Sequence, residues 1–286
     1  MVLSLHMPGS FKSLIELGDF YMGTKWFTPN KEISKTLYTT AGLVVFILFL
    51  AVWSILSYGG LVNPVFLPTP TAVLATAADL LIHGDLLSNI GISFTRVLAG
   101  FLAAAIIGIP LGILMGSLKI MEGAFEPIIG FIRYMPASAF IPLLILWIGL
   151  GEPEKMSVIF LGTFFQLTLM IMDVTKNVQN ELIEVSYTLG AKKFQVYTKV
   201  ILPASLPGIV DTLRITFGWA WTYLVVAEIV GASSGLGYMI MQASRFLQPD
   251  KIIVGIITIG ILGLLTDMIF KGIYRASFSW MRKDGF

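Results

Sequence analysis

Glu228, Arg96, Arg133, Arg214 and Gln166 are strongly polar side chains within, or at the ends of, long apolar stretches of this chain. Ionisable groups in such surroundings are costly and face protein or water, so each is a candidate for ion pairing or for contact with a passing solute. Glu228 and Arg96 carry opposite charges near the same end of two stretches. They read as a structural salt bridge; the alternative gives Glu228 a functional contact at that end. Arg133 lies three residues before Pro136. A guanidinium there either holds an oxyanion through paired donors or anchors its helix near the headgroups. Gln166 needs a hydrogen-bond partner, from a neighbouring helix or from a solute. Trp219 and Tyr223 are four residues apart and share a helix face, while Trp221 points elsewhere. Midspan aromatics are unusual, because Trp and Tyr favour the interface; they line a pathway or pack. Arg214, nearer the opposite end of that stretch, reads as snorkelling to the interface.

Other chemistries lack their parts. The chain has no cysteine, which excludes disulfides and thiolate metal sites, and its two histidines, His6 and His83, are far apart in sequence. The glycines of 231–237 are followed by Tyr238 and not by the lysine of a phosphate-binding loop. The string Gly231-Ala232-Ser233-Ser234-Gly235 follows a long apolar stretch of membrane-span length and not a β-strand, so it is no nucleophile elbow, and no His-Glu-x-x-His pair occurs. The chain therefore reads as no enzyme and as holding no cofactor of its own. A net charge of +2 without a basic cluster also argues against a nucleic-acid partner.

The elements that must position these groups are membrane helices. Charged residues make up 13% of the chain, about half the share in a soluble domain, and mean hydropathy is +0.85. Six segments approach the ~20 apolar residues needed to cross a bilayer: 37–58, 90–117, 127–149, 156–173, 208–231 and 252–270. The predicted class is an all-α integral membrane protein with six transmembrane helices. Pro136 and Pro142 make the third span the least regular and turn it towards the protein interior, where freed backbone groups find partners. Thirteen of the 19 Lys and Arg residues, among them Lys119, Lys176, Lys192, Lys193, Lys199 and Lys271, then fall on one side, and Lys155, Arg245 and Lys251 on the other. The positive-inside rule places both termini and the 174–207 loop in the cytoplasm. Residues 11–30 mix apolar and charged positions and either lie in the membrane interface or form a disordered tail. A short helix is expected over Thr71–Ile82, introduced by Pro70. Ala103–Ala105, Gly108, Gly112 and Gly116 give the second span a small-residue face for close packing, inside the subunit or across a dimer seam.

The 174–207 loop contains a polar cassette. Leu182, Val185 and Leu189 follow helical spacing, Gly190 supplies a stop, and a second short helix is predicted from Lys192 to Val200, closed by Pro203 and Pro207. Such a helix pair either lies on headgroups or docks a soluble partner.

Glu184, Ser186, Gly190-Ala191 and Leu202-Pro203 resemble the EAA coupling motif of the membrane subunits of binding-protein-dependent ABC importers. That pattern is Glu-Ala-Ala, three residues, Gly, nine residues, Ile, one residue and Leu-Pro. Val185 and Ser186 replace its alanines and Val200 its isoleucine, and the spacings are kept. Further phrases, Phe66-Leu67-Pro68-Thr69-Pro70, Ser93-Phe94-Thr95-Arg96, Gly149-Leu150-Gly151-Glu152 and Gly235-Leu236-Gly237-Tyr238-Met239, are similar to the branch that imports nitrate, sulfonates, taurine or bicarbonate. The resemblance implies a type I ABC importer permease fold over 37–280, flanked by cytoplasmic tails at 1–36 and 281–286, in a bacterial inner membrane. It implies a second copy of the permease, cytoplasmic ABC ATPase subunits that bind ATP and Mg, and a periplasmic or lipid-anchored solute-binding protein. Glu184, Val185, Ser186, Gly190, Ala191, Leu202 and Pro203 would couple to the ATPase; Arg133, Gln166, Trp219, Trp221, Tyr223 and Glu228 are the pathway candidates. A secondary transporter or channel uncoupled from an ATPase is the rival reading.

Overall fold

The structure, a computed structural model, describes residues 34–278, in two units, Met1–Val62 and Asn63–Phe286. The interfacial segment expected over 11–30 and the tail at 281–286 lie outside the described residues.

In the first unit, α1 (Lys35–Tyr58) is a continuous apolar helix with mean hydropathy 2.4 in its central window. The Ser34 hydroxyl opens it by accepting from the Leu37 amide at 3.2 Å, an N-cap bond that satisfies one of the four orphan amides.

The second unit begins with α2 (Pro70–Ile82), capped by Thr69 with Pro70 in the first turn, where a missing N–H costs nothing. The long helix α3 (Leu86–Ser117) follows, then α4 (Lys119–Ile132). Here the expected single span over 127–149 is not continuous. Pro136 lacks an N–H and pushes Met135 out of helical geometry, so α4 stops at Ile132. The chain restarts as a 3₁₀ turn (Ala137–Phe140) and α5 (Ile141–Ile148), bent 85° from α4. After Gly149, at φ +88°, come α6 (Glu152–Lys176) and the cassette helix α7 (Asn180–Thr188).

The second cassette helix departs from expectation. After the single turn α8 (Lys193–Val196), a π-helical turn (Tyr197–Ile201) leads without a break into α9 (Leu202–Gly231). Pro203 and Pro207 do not close it. The amide of Leu202 bonds to the Tyr197 carbonyl, five residues back, so the chain is wider just before Pro203 and the ring enters a first turn that requires no N–H from it. Residues 193–231 thus form one helical rod. The chain ends with α10 (Leu236–Arg245) and α11 (Pro249–Ser277). Among the described residues five helices are long and apolar enough to cross a bilayer, or six if the bent α4–α5 pair is counted as one broken span.

The core lies between α3, α6 and α9. Val97, Ile159, Leu167, Ile171, Ala220 and Leu224 are fully buried, and Phe101 meets Phe217 edge to face at 4.8 Å. The small-residue face of α3 is used inside the subunit. A Cβ on Gly112 would stand 2.7 Å from the Thr168 carbonyl oxygen of α6, and one on Gly116 2.6 Å from that of Met172. Helices this close gain dispersion contact along their whole crossing, the main attraction available where lipid is as apolar as the side chains.

Candidate functional site

Three groups of residues stand out from this packing: a buried ion network, a recess, and the cassette. The network joins one end of α3 to α6, α9 and the loop before α10. Arg96, 1% exposed, donates from Nη1 to Glu228 Oε1 at 2.7 Å and to the Ser234 carbonyl at 2.7 Å, and from Nε to Glu152 Oε2 at 2.6 Å. Glu228, also 1% exposed, accepts in addition from Ser93 Oγ at 2.8 Å and from the Gly237 amide at 2.7 Å. Ser93 in turn accepts from the Leu236 amide at 2.9 Å, and Asn89 from the Gly235 amide at 2.8 Å. A buried carboxylate with three donors and a guanidinium with five acceptor atoms, on Glu152, Glu228 and Ser234, are each compensated, the condition for a buried pair to be tolerated. Gly235, at φ +107°, lies against the Glu228 carboxylate, where a Cβ would be 2.3 Å from Oε1. Arg96 and Glu228 were legible as partners. Glu152, Asn89, Ser93 and Ser234 were not; the signal was that a fully buried carboxylate needs more donors than one arginine supplies.

The recess lies between the α4–α5 break, α6 and α9. It gathers four of the six pathway candidates: Arg133 from the break, Gln166 from α6, and Trp219 and Tyr223 from α9. Its volume is ≈ 70 Å³. No Asp or Glu lines it, and Arg133 is its one charged residue among those described. Arg133 Nη2 donates to the Tyr134 hydroxyl at 2.9 Å and its guanidinium lies 4.8 Å from that ring, leaving further N–H donors free. The Gln166 amide, the Trp219 indole N–H and the Tyr223 hydroxyl have no hydrogen-bond partner among the described residues. Donors that nothing among the described residues satisfies, around a space without a described carboxylate, are suited to an oxyanion. Trp221 and Glu228 do not join them: Trp221 is 3% exposed and faces Phe94, with ring centroids 6.3 Å apart, and Glu228 belongs to the network. Arg214 does not simply snorkel. It pairs with Asp211 at 2.7 Å and with Asp267 at 3.0 Å, joining α9 to α11.

In the cassette, Glu184, Val185 and Ser186 sit on α7, all of whose residues are exposed or half-buried. Gly190 adopts φ +82°. Its amide bonds to the Tyr187 carbonyl at 2.9 Å and that of Ala191 to the Ser186 carbonyl at 3.0 Å, the paired bonds of a Schellman stop. The apolar residues Val185, Leu189 and Phe194 stay 57%, 82% and 76% exposed. Leu202 and Pro203 occupy the first turn of α9.

Comparison with known proteins decides the family. Residues 108–283 match the model of the binding-protein-dependent transport system inner membrane component. The chain belongs to this family. It is 38% identical over 239 residues to the SsuC permease protein of Bacillus subtilis (strain 168), named for aliphatic sulfonates transport, covering 84% of this chain and 87% of that one. It is 34% identical over 262 residues to the taurine transport system permease protein TauC of Escherichia coli (strain K12), covering 90% and 93%. The fold is that of the MetNI methionine ABC transporter solved in inward-facing conformations (TM-score 0.56, 21% identity, 66% of this chain and 95% of that chain). This permease is thus the membrane subunit of an ABC importer with the type I fold. Permeases of this family work with an ATPase and a solute-binding protein, and the chain is a transporter permease subunit.

Proposed function

We propose that this permease imports a small oxyanion, of the sulfonate class first, by alternating access, and that the solute passes the recess of Arg133, Gln166, Trp219 and Tyr223. The observation that carries this is the gathering of these four residues around a space with one cation, three unspent polar groups and no carboxylate. The relatives named for sulfonates and taurine agree with it. A space of ≈ 70 Å³ is well below the ~300–1,000 Å³ that encloses a small molecule, which supports a second copy of the permease, facing the first, to complete the pathway.

The cassette, with Glu184, Val185, Ser186, Gly190, Ala191, Leu202 and Pro203, receives the cytoplasmic ATPase. Its exposed apolar residues and its position on the Lys-rich side support that role. Both termini then lie in the cytoplasm of a cell whose inner membrane holds the six crossings. The network of Arg96 and Glu228 lies towards the outer face, where the binding protein delivers solute. ATP binding draws the ATPases together, and the rod of residues 193–231 carries that movement from cassette to recess. ATP and the loaded binding protein shift the equilibrium by their different affinities for the two states.

The test is reconstitution in liposomes with the ATPase and binding protein, and a screen of ATP turnover with taurine, alkanesulfonates, nitrate, bicarbonate and a neutral amino acid. Oxyanions should stimulate turnover and be accumulated. Arg133→Ala should lower flux about ten- to a hundredfold, the worth of a hydrogen-bonded charge, with the ATPase still co-purifying. Uptake without nucleotide would favour a secondary transporter or channel, and preference for the neutral solute would remove the anion reading.

A further inference from the structure

We propose that Gly162 is a positioning residue that sets the solute length this permease accepts, by fixing the seat of the Tyr223 ring. The inference rests on the recess being the pathway. A Cβ built on Gly162 would stand 2.4 Å from Tyr223 Cγ, 2.5 Å from Cδ2 and 2.6 Å from Cδ1. The tyrosine ring therefore lies flat on the α6 backbone, in space that exists only because residue 162 has no side chain. Both residues line the recess.

The ring has one direction in which to yield. On either side of Tyr223 along α9, Ala220, Leu224 and Ala227 are fully buried, and Ile159 and Leu167 of α6 are fully buried as well. The helices are in contact there and do not separate. A methyl group at 162 needs the ring to retreat by about 1 Å to regain a carbon–carbon contact of ~3.5 Å. The side not occupied by α6 is the recess, and a shift of that size removes much of a space of ≈ 70 Å³.

The two helices run antiparallel, with Gly162 against Tyr223 and Val174 against Gly208, so this space has two levels: Tyr223 with Gly162 at one, Gln166 with Trp219 at the other. Gln166 is one turn from Gly162 on α6, and Trp219 one turn from Tyr223 on α9. The free donors of Arg133 and Gln166 suit an oxyanion head, and the face of Tyr223, one turn away, suits a short alkyl tail. Gly162 governs the tail end alone. It acts through Tyr223 and donates no hydrogen bond, so it affects which tails are accepted and leaves head-group recognition to Arg133 and Gln166.

The experiment measures ATP-dependent accumulation of straight-chain alkanesulfonates, from one to six carbons, in proteoliposomes holding the full complex. Gly162→Ala should lower the ratio of long-chain to short-chain flux about tenfold or more, the usual discrimination per methylene in a tight apolar pocket. Gly162→Ala/Tyr223→Leu should restore the ratio, since leucine leaves room for the methyl. Tyr223→Leu alone should extend acceptance to longer chains, and it tests the inference even if Gly162→Ala fails to assemble. Equal loss for every chain length without rescue, or an unchanged profile in both Gly162→Ala and Tyr223→Leu, overturns the inference. If Arg133→Ala and Gln166→Ala also leave every flux unchanged, the recess reading itself fails. If they impair flux while chain-length selection stays fixed, only the role of Gly162 falls.

Discussion

Arg96→Met probes the buried network. The guanidinium is shared between Glu228, Glu152 and the Ser234 carbonyl, and its removal leaves Glu228 charged, buried and held only by Ser93 and the Gly237 amide. Orphaning one member of a buried pair costs about 3–5 kcal/mol. For a chain of this size each kcal/mol lowers the unfolding midpoint by ~2–4 °C, so the variant should unfold about 6–20 °C below the parent protein. Glu228→Gln is milder. Glutamine still accepts from Ser93, and Arg96 keeps Glu152, so the loss is about 1–3 kcal/mol. The double variant Arg96→Met/Glu228→Gln carries no unpaired charge at either position. It should recover at least half of the loss seen in Arg96→Met, a coupling of ~2 kcal/mol or more and well outside additivity. The assay is thermal unfolding in detergent followed by tryptophan fluorescence, which requires neither solute nor ATPase. A double variant whose loss equals the sum of the two single losses would show that the charges are independent and refute the pairing argument.

Three other substitutions bear on separate contacts. Gly190→Val forces a β-branched residue to φ +82°, against ~1–2 kcal/mol of left-handed strain; co-purification of the ATPase and transport should fall while membrane insertion persists, and unchanged transport would count against coupling through the cassette. Gly116→Val places a side chain 2.6 Å from the Met172 carbonyl and from Thr175 Cβ, and overpacking of about 1–3 kcal/mol should lower the unfolding midpoint. Gly42→Val, which meets nothing within 4 Å on α1, serves as its control and should leave the midpoint unchanged.

Much of the architecture was legible because each feature has a local cause. Pro70 preceded by threonine marks a helix start, and Gly190 marks a stop, whatever the surroundings. Apolar length needed no tertiary knowledge. The break in the third crossing was half legible: Pro136 announced irregularity, but the 85° bend depends on where α6 and α9 leave room. The π-helical turn was missed because Pro203 and Pro207 look like stops, and only the widened turn before them lets the helix continue. In the recess, periodicity placed Trp219 and Tyr223 on one face and set Trp221 apart. Gly162 gave no sequence signal at all. A glycine in an apolar helix resembles any other until the ring that rests on it is known.

The unbroken run from Lys193 to Gly231 constrains how this gene can change. Along an α-helix each residue turns the chain by about 100°. Adding or losing a single residue between Ile201 and Trp219 would leave every side chain chemically intact and yet swing the aromatic pair a quarter-turn or more away from α6. A change of length there alters every contact beyond it at once, unless a compensating bulge resets the phase. The π-helical turn is itself such a phase-setting insertion, and its one surplus residue sets the angle between the cassette and the recess.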